Sequence, residues 1–116
     1  NIKLFENHDD ATLKYLYSNA KFLVLPSEAE GFGLPILEGM RNKCGILASD
    51  IEVFKEIGKD KINYFENGNI DSFIHELEKK ANSQNENLII KALEYSKNFT
   101  WSSCAKKTFD IYSEMK

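Results

Sequence analysis

The feature that most constrains this chain is Phe22-Leu23-Val24-Leu25, an unbroken apolar run closed by Pro26 and Ser27. Consecutive apolar residues put hydrophobic side chains on both faces of a strand, so both faces need cover, as in a parallel sheet. Gly45 to Ala48 reads as another strand of this kind, and Ile62 to Phe65 as a further candidate. Ile2 to Phe5 is a short first strand candidate.

Helical periodicity fills the intervals. Asp9 or Asp10 can cap a helix that places Leu13, Leu16, Tyr17 and Ala20 on one face. Pro35 suits the first turn of a helix reaching about Arg41, with Ile36, Leu37 and Met40 inward. Ile51 to Ile57 reads as a short helix ended by Gly58, and Asn67-Gly68-Asn69 as a turn. Beyond it the chain is helical. Asp71 can cap a helix carrying Phe73, Ile74, Leu77 and Ala81, a second covers Leu88 to Tyr95, and Thr100 can cap the last. Cys104, Ala105, Phe109 and Tyr112 form a stripe on that last helix. Strands alternating with helices predict an α/β fold: a mostly parallel, partial Rossmann-like sheet of about four strands, helices on both faces and a helical C-terminal tail.

Composition narrows the functional classes. The 116 residues fit one domain, 1–116, and 42% hydrophobic with 28% charged residues are ordinary globular proportions. A net charge of -3 and a pI near 5.4 give no basic footprint for nucleic acid. Arg41 is the single arginine, and Cys44 and Cys104 lack metal-ligand spacing. Both cysteines read as reduced, buried side chains of a cytoplasmic protein. No apolar run approaches the roughly 20 residues of a membrane-spanning helix. The chain opens on Asn1 rather than Met, which points to a piece of a longer protein.

Chemistry concentrates in Pro26 to Glu38, which leaves a buried strand, turns through Gly31 and Gly33 and enters a helix. In open α/β sheets ligands bind beyond the carboxyl ends of the strands. The glycines allow close backbone approach, and the helix start offers unpaired N–H groups to an anion such as phosphate. Glu38 lies about 6 Å along the helix axis from Leu34, at roughly 1.5 Å per residue. From there a carboxylate can accept hydrogen bonds from both hydroxyls of a ribose, while Glu30 faces the opposite end of a diphosphate. Spacing alone leaves a second reading open, a plain Gly-x-Gly turn with solvated glutamates. A dinucleotide fingerprint fits poorly, because Ile36 stands where its third glycine belongs.

The segment Glu30-Gly31-Phe32-Gly33-Leu34-Pro35-Ile36-Leu37-Glu38 resembles the E-x7-E signature of retaining GT-B glycosyltransferases, glycosyltransferase family 4. Leu16-Tyr17-Ser18-Asn19-Ala20, Phe22 to Ser27, Ala48-Ser49-Asp50, Val53 to Ile57, Asn63-Tyr64-Phe65 and Phe99-Thr100-Trp101 resemble further landmarks in the same order. The resemblance implies the C-terminal, nucleotide-sugar-binding domain of such an enzyme, without its first strands or its N-terminal acceptor domain. It assigns Glu30 to the donor sugar, as electrostatic support for catalysis, and Glu38 to the ribose. Backbone groups of Gly31, Phe32, Gly33 and Leu34 face sugar and diphosphate. It implies transfer of a glycosyl group from a nucleotide diphosphate sugar with retention, no cofactor and no metal. It places the parent enzyme in the cytoplasm or at the inner face of the membrane.

The sequence departs from the family pattern in places. Lys43 and Gly45 stand where a Gly and a Pro are usual, and Glu52 where a proline is common. The family's diphosphate-binding Arg and Lys lie upstream of this chain, and no Arg or Lys occurs between Lys21 and Arg41. The chain alone is therefore expected to be inactive. In a 3-2-1-4-5-6 sheet Ile2 to Phe5 corresponds to strand three and Phe22 to Leu25 to strand four. The isolated chain must then expose the edge of strand four, rearrange its first strand, or pair as a homodimer through that edge. A non-catalytic Rossmann-like binding or oligomerisation module is the alternative, and a nucleotide-sugar epimerase a weaker rival that the E-x7-E spacing disfavours.

Other residues read more plainly. His8 and His75 have no clustered ligands, Trp101 reads as a packing anchor of the last helix, and Asp50 as a turn or cap residue. Lys79-Lys80 and Lys106-Lys107 read as solvated helix faces.

Overall fold

A computed structural model describes residues 1–116. Its centre is a three-stranded parallel sheet of β1 (Leu23–Leu25), β2 (Ile46–Ser49) and β3 (Asn63–Phe65), in the order β1-β2-β3. Leu23 pairs with Ile46, and Leu47 with Asn63. Helices α1 (Asp10–Asn19), α2 (Leu34–Arg41), α3 (Glu52–Gly58), α4 (Ile70–Asn82), α5 (Glu86–Ser96) and α6 (Trp101–Glu114) flank or follow it. A 3-10 turn, Lys59–Lys61, leads into β3.

The α/β expectation holds, with three strands rather than about four. Ile2 to Phe5 forms no strand, and Ile2, Leu4 and Phe5 are exposed. Backbone hydrogen bonding needs a neighbour, and no strand lies beside this segment to supply one. β1 is consequently an edge strand, half-buried throughout, whereas every residue of the central β2 is buried.

The core lies where α2, α3 and α5 meet the sheet. Ile36, Met40, Leu47, Ala48 and Phe54 have no accessible surface. Gly39 lets α2 approach closely, because a Cβ there would sit 3.0 Å from Ile46 Cδ1 and 3.3 Å from Leu23 Cδ2. Beyond the helix end Lys43 adopts φ 56°, a left-handed conformation that glycine takes without strain. Lys43 N–H donates to the Met40 carbonyl and Cys44 N–H to the Gly39 carbonyl, which closes a Schellman motif. The departure at Lys43 noted in the sequence thus falls where glycine fits best.

The caps of the first and last helices are those expected, and Asn85 caps α5. Asp9 accepts from Thr12 N–H, Asn85 from Leu88 N–H and Thr100 from Ser103 N–H. For α4 the cap is Asn69, accepting from Ser72 N–H, rather than Asp71, which lies inside the first turn. The C-terminal helix differs from expectation. Trp101 is 82% exposed and Cys104 is exposed, so neither packs as a core residue; Cys44 alone of the two cysteines is buried. α6 extends from a molecule measuring 55 × 31 × 30 Å, and its apolar stripe has no partner element. No helix is long and apolar enough to cross a membrane.

Candidate functional site

The loop after β1 begins at the carboxyl end of the sheet. Ser49, at the same end of β2, is fully buried, and its hydroxyl donates to the Ser27 carbonyl at 2.5 Å. Buried hydroxyls require partners, and this one ties the loop to the strand beneath it. Ser27 in turn donates through its own hydroxyl to Glu30 Oε1 at 2.9 Å. Glu30 is exposed, so its carboxylate stands in solvent with one local tether.

Gly31 is open, with no atom within 4 Å of where a Cβ would lie. Gly33 is buried, at φ 89°, and a Cβ there would meet the Phe54 ring at 3.3 Å. The turn therefore rests on Phe54, and only a residue without a side chain takes that conformation easily. Phe32 and Leu34 point outward, each 48% exposed. Gly33 is also the N-cap of α2, and it offers no side-chain acceptor to the first turn. Pro35 has no N–H and Ile36 N–H donates to the Gly33 carbonyl at 3.0 Å, so the free donor of the first turn is Leu34 N–H, which together with the positive end of the helix favours an anion.

One turn along α2, Glu38 is half-buried. Its Oε2 accepts a hydrogen bond from the Tyr17 hydroxyl at 2.8 Å. Tyr17 is the buried residue of α1, and burial, then the hydrogen bond and charge of Glu38, push its hydroxyl well above the ordinary tyrosine range. It stays protonated, and so stays a donor, across the physiological pH range.

Glu30 and Glu38 flank the Gly31–Leu34 turn, each with its own hydrogen-bond partner. Tyr17, Ser27 and Ser49 were not among the predicted site residues. The available signal was the need of a tyrosine hydroxyl on a core-facing stripe, and of a serine in a buried strand, for polar partners.

The two basic residues that bracket the loop in sequence bond elsewhere. Arg41 donates to the Phe99 carbonyl and Lys21 Nζ to the Ala81 carbonyl at 2.5 Å, so neither is held at the loop. His8 and His75 are exposed. Asp50 accepts from Asn67 N–H at 2.8 Å and donates its own N–H to the Phe65 carbonyl, the turn role expected of it. A depression of about 260 Å³ lined by Asn63, Glu76, Lys79, Lys80, Ser83 and Asn85 lies at the opposite, amino end of the strands.

Comparison with known proteins bears on this geometry. Residues 1–100 match the profile of the glycosyl transferases group 1. The chain is 42% identical over 67 residues to the serotype-specific mannosyltransferase WbdA of Escherichia coli, covering 56% of this chain and 8% of that protein. It is 32% identical over 105 residues to the O-antigen chain mannosyltransferase B of Escherichia coli, covering 89% of this chain and 28% of that one. Against the O-antigen chain mannosyltransferase RfbU of Salmonella typhimurium it is 51% identical over 45 residues, 39% of this chain and 13% of that one. The chain therefore spans less than a third of the length of each of these curated relatives.

Proposed function

The chain belongs to the glycosyl transferases group 1, and from that premise we propose that it is the donor-binding part of a retaining glycosyltransferase. Its three strands correspond to the fourth, fifth and sixth of a 3-2-1-4-5-6 sheet, an assignment supported by their consecutive order. The observation that carries the reading is the pair of separately held carboxylates on either side of an open glycine turn at the carboxyl end of β1.

In this reading the diphosphate of a nucleotide sugar lies over the start of α2. Glu38 accepts hydrogen bonds from the ribose hydroxyls, and Glu30 accepts from the hydroxyls of the sugar. Backbone groups of Gly31, Phe32, Gly33 and Leu34 line the path between them. During transfer the bond from the anomeric carbon to the diphosphate breaks, and a bond to an acceptor oxygen forms with the same configuration. Negative charge grows on the diphosphate, and the α2 N-terminus is the group of this chain placed to stabilise it. The neighbouring basic side chains Lys21 and Arg41 are engaged elsewhere. In this reading further positive charge comes from the diphosphate-binding Arg and Lys that the family resemblance places upstream of this chain. Mannose is the first sugar to test, because the relatives matched over 67, 105 and 45 residues are named as mannosyltransferases.

Calorimetric titration with UDP, GDP and ADP, and with their mannose conjugates, tests the reading. Saturable binding of one nucleotide, strengthened in its sugar conjugate, is the expected result and names the base. No binding of any would overturn it for this chain. It would favour a second reading, an assembling module, for which the open β1 edge and the exposed apolar stripe of α6 speak.

A further inference from the structure

Tyr17 ties α1 to the candidate site. Its ring is buried beneath α1, and its hydroxyl reaches a carboxylate 21 residues away in sequence. A glutamate side chain at a half-buried helix position has several rotamers, and fixing one of them costs conformational entropy each time a ligand binds. A donor already bound to one carboxylate oxygen removes most of that freedom before the ligand arrives. The contact is also directional. It occupies Oε2 and leaves Oε1 without a protein partner. No other donor in the molecule reaches the Glu38 carboxylate; Asn42 bonds the Glu38 main-chain carbonyl instead.

We propose that Tyr17 is a positioning residue for nucleotide binding: its hydroxyl fixes the Glu38 carboxylate so that Oε1 is presented to the vicinal diol of the ribose. This rests on the assignment of Glu38 to the ribose made above. Tyr17 touches no ligand itself. It acts through Glu38, so its effect must be specific to ligands that carry the diol and must vanish when the carboxylate is gone.

These two requirements set the experiment. UDP, GDP and ADP are titrated calorimetrically beside their 2′,3′-dideoxy counterparts, into the unaltered chain, Tyr17→Phe, Glu38→Ala and the double variant. Tyr17→Phe keeps the buried ring and removes one oxygen, and its thermal unfolding is recorded alongside. The expected result is a loss of roughly 3- to 10-fold in affinity for the ribonucleotide, the usual weight of one hydrogen bond. Dideoxy affinity should be unchanged, and the loss should be absent when Glu38 is already alanine. Equal weakening of both nucleotides by Tyr17→Phe would reduce the contact to a staple between helices and overturn the proposal. If Glu38→Ala erases the ribose preference while Tyr17→Phe keeps it, the positioning role alone falls. If Glu38→Ala leaves the preference intact, the ribose assignment falls with it.

Discussion

The two ends of the candidate site are anchored in opposite ways. Glu38 sits on a helix whose inner face is core, and its partner Tyr17 comes from a separate element. Glu30 sits on an exposed loop, and its partner Ser27 lies three residues back in the same loop. Tertiary packing fixes the first carboxylate, and a local turn holds the second. A group built into the scaffold keeps its geometry whether or not a ligand is present, whereas a group on an open loop can adjust to what arrives. The contrast matches the roles proposed for them. The ribose is common to UDP, GDP and ADP donors, whereas the sugar differs from one donor to the next.

The comparison can be broken at the seat shared by both ends. Phe54 is fully buried beneath the Gly33 turn, and Phe54→Ala should cost about 3–5 kcal/mol of folding stability. Urea unfolding reads this directly, and a loss below about 1 kcal/mol would show that the turn does not depend on the ring. Gly33→Ala is the next largest. Its left-handed φ and the 3.3 Å approach to Phe54 predict a cost of about 1–2 kcal/mol, with weaker nucleotide binding. Unchanged thermal stability would contradict that account of the turn.

At the far end of α2, Lys43→Gly should raise stability by about 1 kcal/mol, because it relieves a left-handed lysine within the Schellman motif. No gain in the unfolding midpoint would mean that the lysine side chain compensates. Ser27→Ala should be the mildest, within about 0.5 kcal/mol in stability, since its contact to Glu30 is exposed. It sharpens the comparison if it alters affinity for a nucleotide sugar and leaves that for the free nucleotide alone.

Much of this architecture was legible in the residues. Pro35 before Ile36, Leu37 and Met40 marked α2, and the apolar runs around Leu23 and Ile46 marked adjacent parallel strands. These signals are local, and local propensity and burial agree there. The misses are non-local. Ile2 to Phe5 has a strand-like composition, but a strand exists only where a neighbour supplies hydrogen bonds. The stripe on α6 is helical as read, yet Trp101 and Phe109 are exposed, since periodicity predicts a face and not what covers it. The family match ends at residue 100 and α6 begins at Trp101. In the candidate site the carboxylates and glycines were singled out by the resemblance, since spacing alone left a plain turn open. The supports Tyr17 and Ser49 were not, because each contact joins residues more than 20 positions apart in sequence.

The most direct test of the central claim is one set of affinities, for a nucleoside diphosphate and for its sugar conjugate, measured with Glu38→Ala and Glu30→Ala. Glu38→Ala should weaken both ligands by roughly tenfold or more, the weight of a hydrogen bond to a charged group. Glu30→Ala should weaken only the conjugate. An undiminished affinity in Glu38→Ala, or equal losses for both ligands in Glu30→Ala, would contradict the division of one donor between the two carboxylates.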